Sequence, residues 1–303
     1  MERFRFELEQ GSRKYQCPAC RKHRFVRYVD TENGEHIADE VGRCDREDSC
    51  GYHLKPGDYF RQQGKRSSPI GNQSMKKQSM VEQELSLIEP KILDASMARH
   101  DRNYFCRWLC TIFGESRAFQ LTNRFWIGTS KHWMGACVFW QIDESWNIRG
   151  GKIMLYDTMT GKRVKHPFCH IQWVHSVLNI PNYNLQQCLF GEHQLSSDDN
   201  MPIAIVESEK TAIVASGFMP EFIWLATAGK GNLSIEKLTP VQGRKVVLFP
   251  DLGAFDKWQT VVNGFAWIRV SDILERYATE ENRKAGLDLA DYLLLEHSGS
   301  LAS

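Results

Sequence analysis

Two carboxylates follow strand-like apolar runs, at positions where they could bind a divalent metal. Glu207 ends the run 203–206, and Asp251 comes directly after the run 245–250. A helix-like segment follows each of them. Because open parallel sheets bind ligands beyond the carboxyl ends of their strands, we expect both side chains to face one crevice. Two carboxylates in one crevice predict a divalent metal and phosphate chemistry.

These carboxylates also have a purely structural explanation. Glu207 and Glu209 would favour the positive end of a helix beginning near residue 209, and Asp251 precedes a helix in the same way. However, a glutamate at the end of a buried strand is costly unless its charge is paired or bound to a metal. The recurrence of the pattern on two strands favours a metal or phosphate crevice.

Further residues fit the same crevice. A glycine-containing turn, with Gly229 and Lys230, follows the strand between the two carboxylates, and such a turn can bring backbone amides close to an anion. Asp288 and Asp291, near the end of the chain, could add another carboxylate.

Four cysteines in the first 50 residues have the spacing of a zinc site. Cys17 and Cys20 form a Cys-x2-Cys knuckle, and Cys44 and Cys50 form a looser second pair. The Asn-Gly sequence at 33–34 predicts a hairpin between the pairs, as in a zinc ribbon. His23 and His53 are alternative ligands, and unrelated free cysteines are the other interpretation. Four protein ligands would make the zinc structural.

Basic residues accompany both predicted sites. Arg21, Lys22 and Arg24 project from the ribbon, where they could contact nucleic-acid phosphates; a ribbon used only for protein contacts is the alternative. A second basic group lies near glycines in the middle of the chain and could hold triphosphate or template phosphates; it includes Arg149, Lys152, Lys162 and Arg163. A solvated basic hairpin turn explains this second group equally well.

The middle region is also rich in tryptophans, among them Trp126, Trp133, Trp140 and Trp146. We expect these side chains mainly in the core, and base stacking is the alternative.

The elements that must position these residues fall into four segments. We predict a zinc ribbon over 1–60, a flexible linker over 61–84, a mixed α/β region over 85–200 and a parallel-sheet domain over 201–303. In the last domain, strands are expected at 203–206, 222–226, 245–249 and 266–270 and helices at 209–216, 234–239, 255–264 and 272–283. A helix over 103–113 should stop at Gly114, and the helix 209–216 at Gly217. Ser234 and Ser271 stand where N-caps belong.

Composition excludes several classes of protein. The 303 residues are 42% hydrophobic and 25% charged, with a formal net charge of +1, which is ordinary for a globular protein. No apolar run approaches the roughly 20 residues that span a bilayer, and the charged N-terminus does not resemble a signal peptide. We therefore expect a cytoplasmic protein without a membrane partner. Nine cysteines in that compartment favour metal ligands and buried thiols over disulfides.

Together, these motifs resemble the bacterial and phage DNA primases, and most closely those of phage and mobile elements. The last segment is similar to a Toprim domain, shared by primases, topoisomerases and certain nucleases. That family has a glutamate after its first strand, a glycine turn after the second, an Asp-x-Asp after the third and a later acidic stretch. Here the corresponding residues are 206–208, 228–231, 250–256 and 287–291. The resulting fold class is α/β, with an N-terminal zinc ribbon, a mixed middle region and a Toprim-like parallel sheet.

The sequence departs from the family pattern at two positions. Gly253 stands where the second aspartate is expected, and Asp256, three residues later, could substitute for it. Ser208 replaces the usual glycine after the glutamate. The resemblance implies that Glu207 and Asp251, with Asp256 and Asp288, hold Mg²⁺ or Mn²⁺. It also implies that Arg149 and Lys152 bind the incoming nucleotide or the template.

The resemblance implies a metal-dependent nucleotidyltransferase that makes short primers from NTPs on single-stranded DNA. The chain lacks a Walker-type phosphate-binding motif, so a replicative helicase would act in trans. Two other hypotheses remain open: a non-catalytic DNA-binding replication protein of a mobile element, and a Toprim nuclease.

Overall fold

An antiparallel β-ribbon belongs to the first of two compact units, Met1–Met80 and Val81–Ser303. The structure is a computed structural model and describes residues 5–9, 13–45, 50–62, 84–197, 200–229 and 231–300. The elements of the ribbon are β1 (Phe6–Leu8), β2 (Tyr15–Gln16), β3 (His23–Asp30), β4 (Gly42–Cys44), β5 (His53–Leu54) and α1 (Pro56–Gln62). The sheet order is β1-β3-β4-β5, with β2 also paired to β3.

The tight turn that the sequence predicts at Asn33-Gly34 follows strand β3. Gly34 has a φ of +74°, which glycine adopts without steric cost, and its amide donates to the carbonyl oxygen of Asp30 at 2.7 Å. The side chain of Asn33 accepts from the amide of Glu35 at 2.9 Å. The chain then returns to pair β4 with β3, placing Cys44 opposite Phe25.

The second unit begins with helices and an antiparallel sheet. Most of the predicted linker lies outside the described residues, as 63–83. The elements that follow are α2 (Pro90–Ser96), α3 (Tyr104–Arg124), β6 (Gly128–Thr129), β7 (Cys137–Ile142), β8 (Ile148–Met154), β9 (Ile171–Trp173) and α4 (Val174–Val177). The four strands are antiparallel, in the order β6-β7-β8-β9.

Helix α3 is longer than the sequence predicts. Its N-cap is Asn103, whose Oδ1 accepts from the amides of Phe105 and Cys106 at 3.1 and 3.2 Å. Gly114, where the sequence predicts the end of the helix, has φ 73° and ψ 165° and interrupts the helical backbone. A second helical stretch nevertheless continues to Arg124, because buried Leu121 on that stretch packs in the core. Gly114 is therefore a kink and not the end of the helix.

A parallel sheet carries the chain through its last third. Its strands are β10 (Ile203–Val206), β11 (Ile223–Ala226), β12 (Val246–Leu248) and β13 (Ile268–Val270), in the order β11-β10-β12-β13. The helices are α5 (Glu209–Phe218), α6 (Ile235–Leu238), α7 (Phe255–Val261), α8 (Ile273–Tyr277), α9 (Glu280–Ala285) and α10 (Leu289–Ser300). All four residues of β10 and of β11 are buried, as in strands covered on both faces.

Two predicted helix boundaries of this sheet domain are wrong. Gly217 does not end α5, which runs on to Phe218. A Cβ atom at Gly217 would lie 2.4 Å from the ring of Phe113, so this glycine permits close helix packing instead. Ser234 caps α6 as predicted, but the N-cap of α8 is Asp272 and not Ser271.

One hydrophobic core joins the antiparallel and parallel sheets. Phe105, Phe139 and Tyr156 of the middle region pack in the same cluster as Val206 and Trp224 of the parallel sheet. The carboxyl ends of the parallel strands are thereby fixed relative to β8. Within the described residues, none of the helices combines the length and the apolar character that crossing a bilayer requires.

Candidate functional site

The four cysteines of the ribbon converge on one point. Their Sγ atoms lie within 4.8 Å of one another, with Cys17 and Cys50 3.6 Å apart and Cys20 and Cys44 3.9 Å apart. Tetrahedral zinc with Zn–S bonds of about 2.3 Å separates its sulfurs by roughly 3.8 Å. The cluster therefore fits a structural zinc ion.

Backbone hydrogen bonds build the first knuckle. The carbonyl oxygen of Cys17 accepts from the amide of Arg21 at 2.9 Å. The amide of Cys17 donates to the carbonyl oxygen of Lys22, also at 2.9 Å. Arg21 takes a φ of 59° to close this turn. The backbone hydrogen bond from Lys22 lowers the pKa of the Cys20 thiol to about 6, which favours the thiolate that zinc requires.

The two histidines considered as alternative ligands lie outside this cluster. His53 Nε2 lies 3.0 Å from the hydroxyl of Tyr28, and His23 is exposed on β3. The side chains of Arg21, Lys22 and Arg24 are exposed around the first knuckle. They are available to an anionic partner.

The two principal carboxylates lie at the same edge of the parallel sheet. Ile205 is paired with Leu248, and the amide of Phe249 donates to the carbonyl oxygen of Ile205 at 2.8 Å. Glu207 and Asp251 follow these paired positions on adjacent strands. Glu207 is buried, with 3% of its surface exposed, and Asp251 is half-buried.

The glycine turn after β11 is tied to the backbone of Glu207. The carbonyl oxygen of Glu207 accepts from the amide of Gly229 at 3.1 Å and from the hydroxyl of Thr227 at 3.4 Å. Gly229 has a φ of +155° and Ala228 a φ of +63°. The amide of Gly229 thus fixes the end of β10 and does not point at an anion. Lys230, predicted to bind phosphate, lies outside the described residues.

Lys152 and Arg149 are both engaged by acidic residues. Lys152 Nζ lies 2.6 Å from Oε1 of Glu209 and donates to the carbonyl oxygen of Ala228 at 2.6 Å. Arg149 Nε donates to Oδ2 of Asp143 at 2.6 Å. Lys152 is nearly buried, so its contacts indicate a role in positioning the crevice. The Arg149 side chain is 26% exposed.

Asp288 lies in a hydrogen-bonded group at the start of α10. Its Oδ2 accepts from the hydroxyl of Thr211 at 2.9 Å, and its Oδ1 accepts from the amide of Asp291 at 3.0 Å. Burial, together with the charge of Asp291, raises the pKa of Asp288. Lys210 Nζ lies 3.6 Å from Oδ1 of Asp291 and limits this repulsion.

The third-strand motif has an unusual loop. Gly253 has a φ of +81°, and its amide donates to Oε1 of Glu275 at 2.6 Å. Asp256 follows in the first turn of α7, where its side chain is exposed. Asp251 therefore lies at the start of this loop, near the end of β12, and Asp256 lies beyond its end, on α7.

The structure brings the predicted metal residues together only in part. Among the described residues, the cysteines are the one group of three or more candidate ligands within 4.8 Å of one another. Glu207, Asp251, Asp256 and Asp288 are not gathered that closely. Mg²⁺ commonly takes one or two protein carboxylates and keeps several waters. Glu207 and Asp251, which follow adjacent strands, are two carboxylates that could supply such a donor set.

Sequence reasoning missed the partners that hold the crevice in place. Glu209 and Thr211 lie on the first turn of α5 and bond to Lys152 and Asp288 respectively. Three charged residues within 207–210 were a signal, but the partners come from distant parts of the chain. Spacing alone does not identify them.

A comparison with known protein families supports the zinc ribbon. Residues 4–65 match the zinc beta-ribbon finger family, and residues 103–252 match a domain of unknown function, DUF6371. No curated protein matches the chain.

Several solved primase structures are similar to parts of the chain. The primase fragment of the bacteriophage T7 primase-helicase is 14% identical over 60% of this chain and 68% of that one, with a TM-score of 0.39. The E. coli primase catalytic core is 11% identical over 68% of this chain and 81% of that one, with a TM-score of 0.42. The zinc-binding and RNA polymerase domains of the Aquifex aeolicus primase are 12% identical over 92% and 79%, with a TM-score of 0.35.

Proposed function

We propose that this chain is a metal-dependent nucleotidyltransferase of the DNA primase type, which makes short primers on single-stranded DNA. One observation carries the proposal: buried Glu207 ends the central strand of a parallel sheet, and Asp251 follows the adjacent strand. The proposal assigns the parallel-sheet domain to the Toprim class and the chain to the mobile-element type of primase. The Toprim assignment rests on the acidic and glycine motifs of the sequence, and the primase assignment rests on the order of zinc ribbon, mixed α/β region and parallel-sheet domain.

In this proposal Glu207 and Asp251 hold Mg²⁺ or Mn²⁺, with Asp256 and Asp288 as further ligands. Bound there, the ion would neutralise nucleotide phosphates and lower the barrier to phosphoryl transfer. Lys152 Nζ contacts Oε1 of Glu209 on α5 and the carbonyl oxygen of Ala228 in the turn after β11, each at 2.6 Å. These two contacts fix the position of the turn beside the crevice. The buried ammonium thus fixes the backbone on which Glu207 stands.

Nucleic-acid contacts are proposed at two groups of exposed cations. Arg21, Lys22 and Arg24 surround the zinc knuckle, and Lys162 and Arg163 lie on the loop before β9. Exposed lysine and arginine side chains bind phosphates and position a strand without reading its sequence. NTPs would enter at the acidic crevice, and a replicative helicase would be supplied in trans.

A primer-synthesis assay tests the proposal. The full chain is given single-stranded template, NTPs and Mg²⁺ or Mn²⁺, and short RNA products are measured. We expect products with the wild type and with Asp94→Asn, which changes an exposed aspartate of α2. Asp251→Asn should abolish them. Normal template binding without any product from the wild type would refute the proposal.

A non-catalytic DNA-binding role is the second candidate, and Gly253 favours it. That position carries no carboxylate, and its amide is engaged by Glu275. In that case the ribbon alone would serve function, and Asp251→Asn would leave replication in cells unchanged. A Toprim nuclease would instead degrade the input DNA when Mg²⁺ is added.

A further inference from the structure

Four rings form an exposed cluster on two loops of the antiparallel sheet. We call it the aromatic platform, and it consists of His132, Trp133, Phe168 and His170. The ring centroids of Phe168 and His170 are 4.3 Å apart at an interplanar angle of 26°. The ring centroid of Trp133 lies 5.0 Å from that of His170 and 4.4 Å from that of His132. The rings therefore form one contiguous surface.

The platform is not part of the closed core. Phe168 has 53% of its surface exposed, and Met134, next to Trp133, has 83% exposed. Trp133 is half-buried and packs against the core of the antiparallel sheet, which anchors the cluster. Apolar side chains that are exposed next to one another, with polar residues around them, are typical of an interaction site.

The same two loops carry exposed cations. These are Lys131, Lys162, Arg163 and Lys165. Within the part of the chain that the structure describes, no salt bridge engages any of these four. Backbone hydrogen bonds from Val164 to Leu155 and from His170 to Val164 hold the cationic stretch beside the rings. These exposed charges beside the rings are free to pair with an anionic ligand.

The cationic loop also packs beside the acidic crevice. Gly161 lies against Trp108, and a Cβ atom there would come within 2.1 Å of the indole. Lys210 Nζ lies 5.5 Å from the centroid of the same indole and 3.6 Å from Oδ1 of Asp291. Trp108 thus connects the cationic loop to the residues around Asp288.

We infer that the aromatic platform binds single-stranded DNA, with bases stacked on Phe168 and Trp133 and phosphates on the surrounding cations. Aromatic faces accept any base, and a neighbouring positive surface tracks the backbone. Charge complementarity favours a polyanion over an apolar protein surface at this position. The inference rests on the proposed function and deepens it, because it names a surface that would hold the template near the crevice.

Binding of a fluorescent oligothymidylate of about 12 nucleotides tests the inference. Affinity is measured by anisotropy with the full chain, without added divalent metal or nucleotide. Phe168→Ala should weaken binding about tenfold, the loss of one stacked base. Phe119→Ala is the matched control, because Phe119 is 64% exposed on α3 outside the platform, and it should bind like the wild type. Circular dichroism confirms that both variants fold.

The dependence on salt separates stacking from charge. Lys165→Gln should reduce the slope of log affinity against log salt by about one, because one phosphate contact is lost. Phe168→Ala should leave that slope unchanged. The control Lys91→Gln, at an exposed position on α2, should change neither affinity nor slope.

Three results would overturn the inference. One is wild-type affinity in Phe168→Ala; another is equal competition by a duplex of the same length, whose bases cannot stack on the rings. The third is self-association that Phe168→Ala abolishes while DNA affinity stays constant. Binding that depends on Phe168 without primer synthesis would leave the platform standing and defeat the proposed catalysis. Primer synthesis with normal binding by Phe168→Ala would defeat the platform alone.

Discussion

Lys152 Nζ lies 2.6 Å from Oε1 of Glu209, and both side chains are almost completely buried. The same ammonium donates to the carbonyl oxygen of Ala228 at 2.6 Å. The ammonium of Lys152 therefore connects three elements: strand β8, helix α5 and the turn after β11. This contact links the antiparallel sheet to the edge of the parallel sheet that carries Glu207.

Loss of this ion pair should destabilise the fold strongly. Lys152→Met leaves Glu209 as an uncompensated buried charge, and the free energy of unfolding should fall by about 3–5 kcal/mol. The double variant Lys152→Met/Glu209→Leu removes both charges and should recover much of that loss. Urea denaturation measures all three proteins.

Lys91→Met is the control for this series, because the Lys91 side chain is 77% exposed. A surface pair of that kind contributes about 0–1 kcal/mol. If Lys152→Met is as stable as Lys91→Met, the pair does not hold the two sheets together.

The cysteine cluster should bind one zinc ion per chain. Cys20→Ser removes a ligand that the other three cannot replace, so zinc content measured by atomic emission should fall. The exposed thiol of Cys169 lies outside the cluster, and Cys169→Ser should keep its zinc. Full zinc content in Cys20→Ser, or equal losses in both variants, would contradict a four-cysteine site.

Glu192 should make the fold less stable as the pH rises. Burial raises the pKa of this carboxyl to about 7, although its Oε2 accepts from the amide of Leu189. The folded state therefore keeps a proton that the unfolded state releases near pH 4.3. The contribution of Glu192 to the free energy of unfolding is greatest below that pH. It is lost as the pH rises to about 7, by an amount on the order of 3 kcal/mol.

Glu192→Gln should remove this decline, because the amide keeps an acceptor for Leu189 without a charge. Urea denaturation between about pH 5 and pH 8 measures the slope. Glu221→Gln, at an exposed position, should retain the wild-type slope. A Glu192→Gln variant that declines with pH as steeply as the wild type would show that Glu192 is ionised in the folded protein.

The two aspartates after β12 should contribute unequally to metal binding. Asp251 follows the strand and is half-buried, whereas Asp256 is exposed on the first turn of α7. Asp251→Asn should weaken Mn²⁺ binding by about tenfold or more, and Asp256→Asn by a few-fold. Calorimetric titration of both variants gives the affinities. Wild-type affinity in Asp256→Asn would remove that residue from the ligand set and leave Gly253 uncompensated.

Local signals in the sequence predicted the framework of this molecule well. The four parallel strands lie within a residue or two of their expected positions, because buried strands give continuous apolar runs. The cysteine spacing predicted the ribbon, because ligand geometry restricts where knuckles can occur. Both signals are encoded within short stretches of chain.

Long-range contacts could not be predicted in this way. Lys152 and Glu209 are 57 positions apart, and Thr211 and Asp288 are 77 apart. The family resemblance implies that Lys152 binds the incoming nucleotide or the template, and the fold adds contacts from Lys152 to Glu209 and Ala228 that spacing could not foresee. Gly217 was expected to end a helix, yet packing against Phe113 from another helix explains it. In each case the decisive neighbour comes from another element.

Binding of Mn²⁺ to the wild type and to Glu207→Gln tests the central claim most directly. The two side chains have nearly the same shape, so the substitution removes a charge from the buried strand end without a change in packing. Calorimetric titration is made with and without a nucleoside triphosphate, and zinc content is measured on the same samples. We expect Mn²⁺ to bind the wild type tightly and Glu207→Gln at least tenfold more weakly, with equal zinc in both. Equal Mn²⁺ affinity in the two proteins, or no binding by the wild type even with nucleotide, would contradict a metal centre at this crevice.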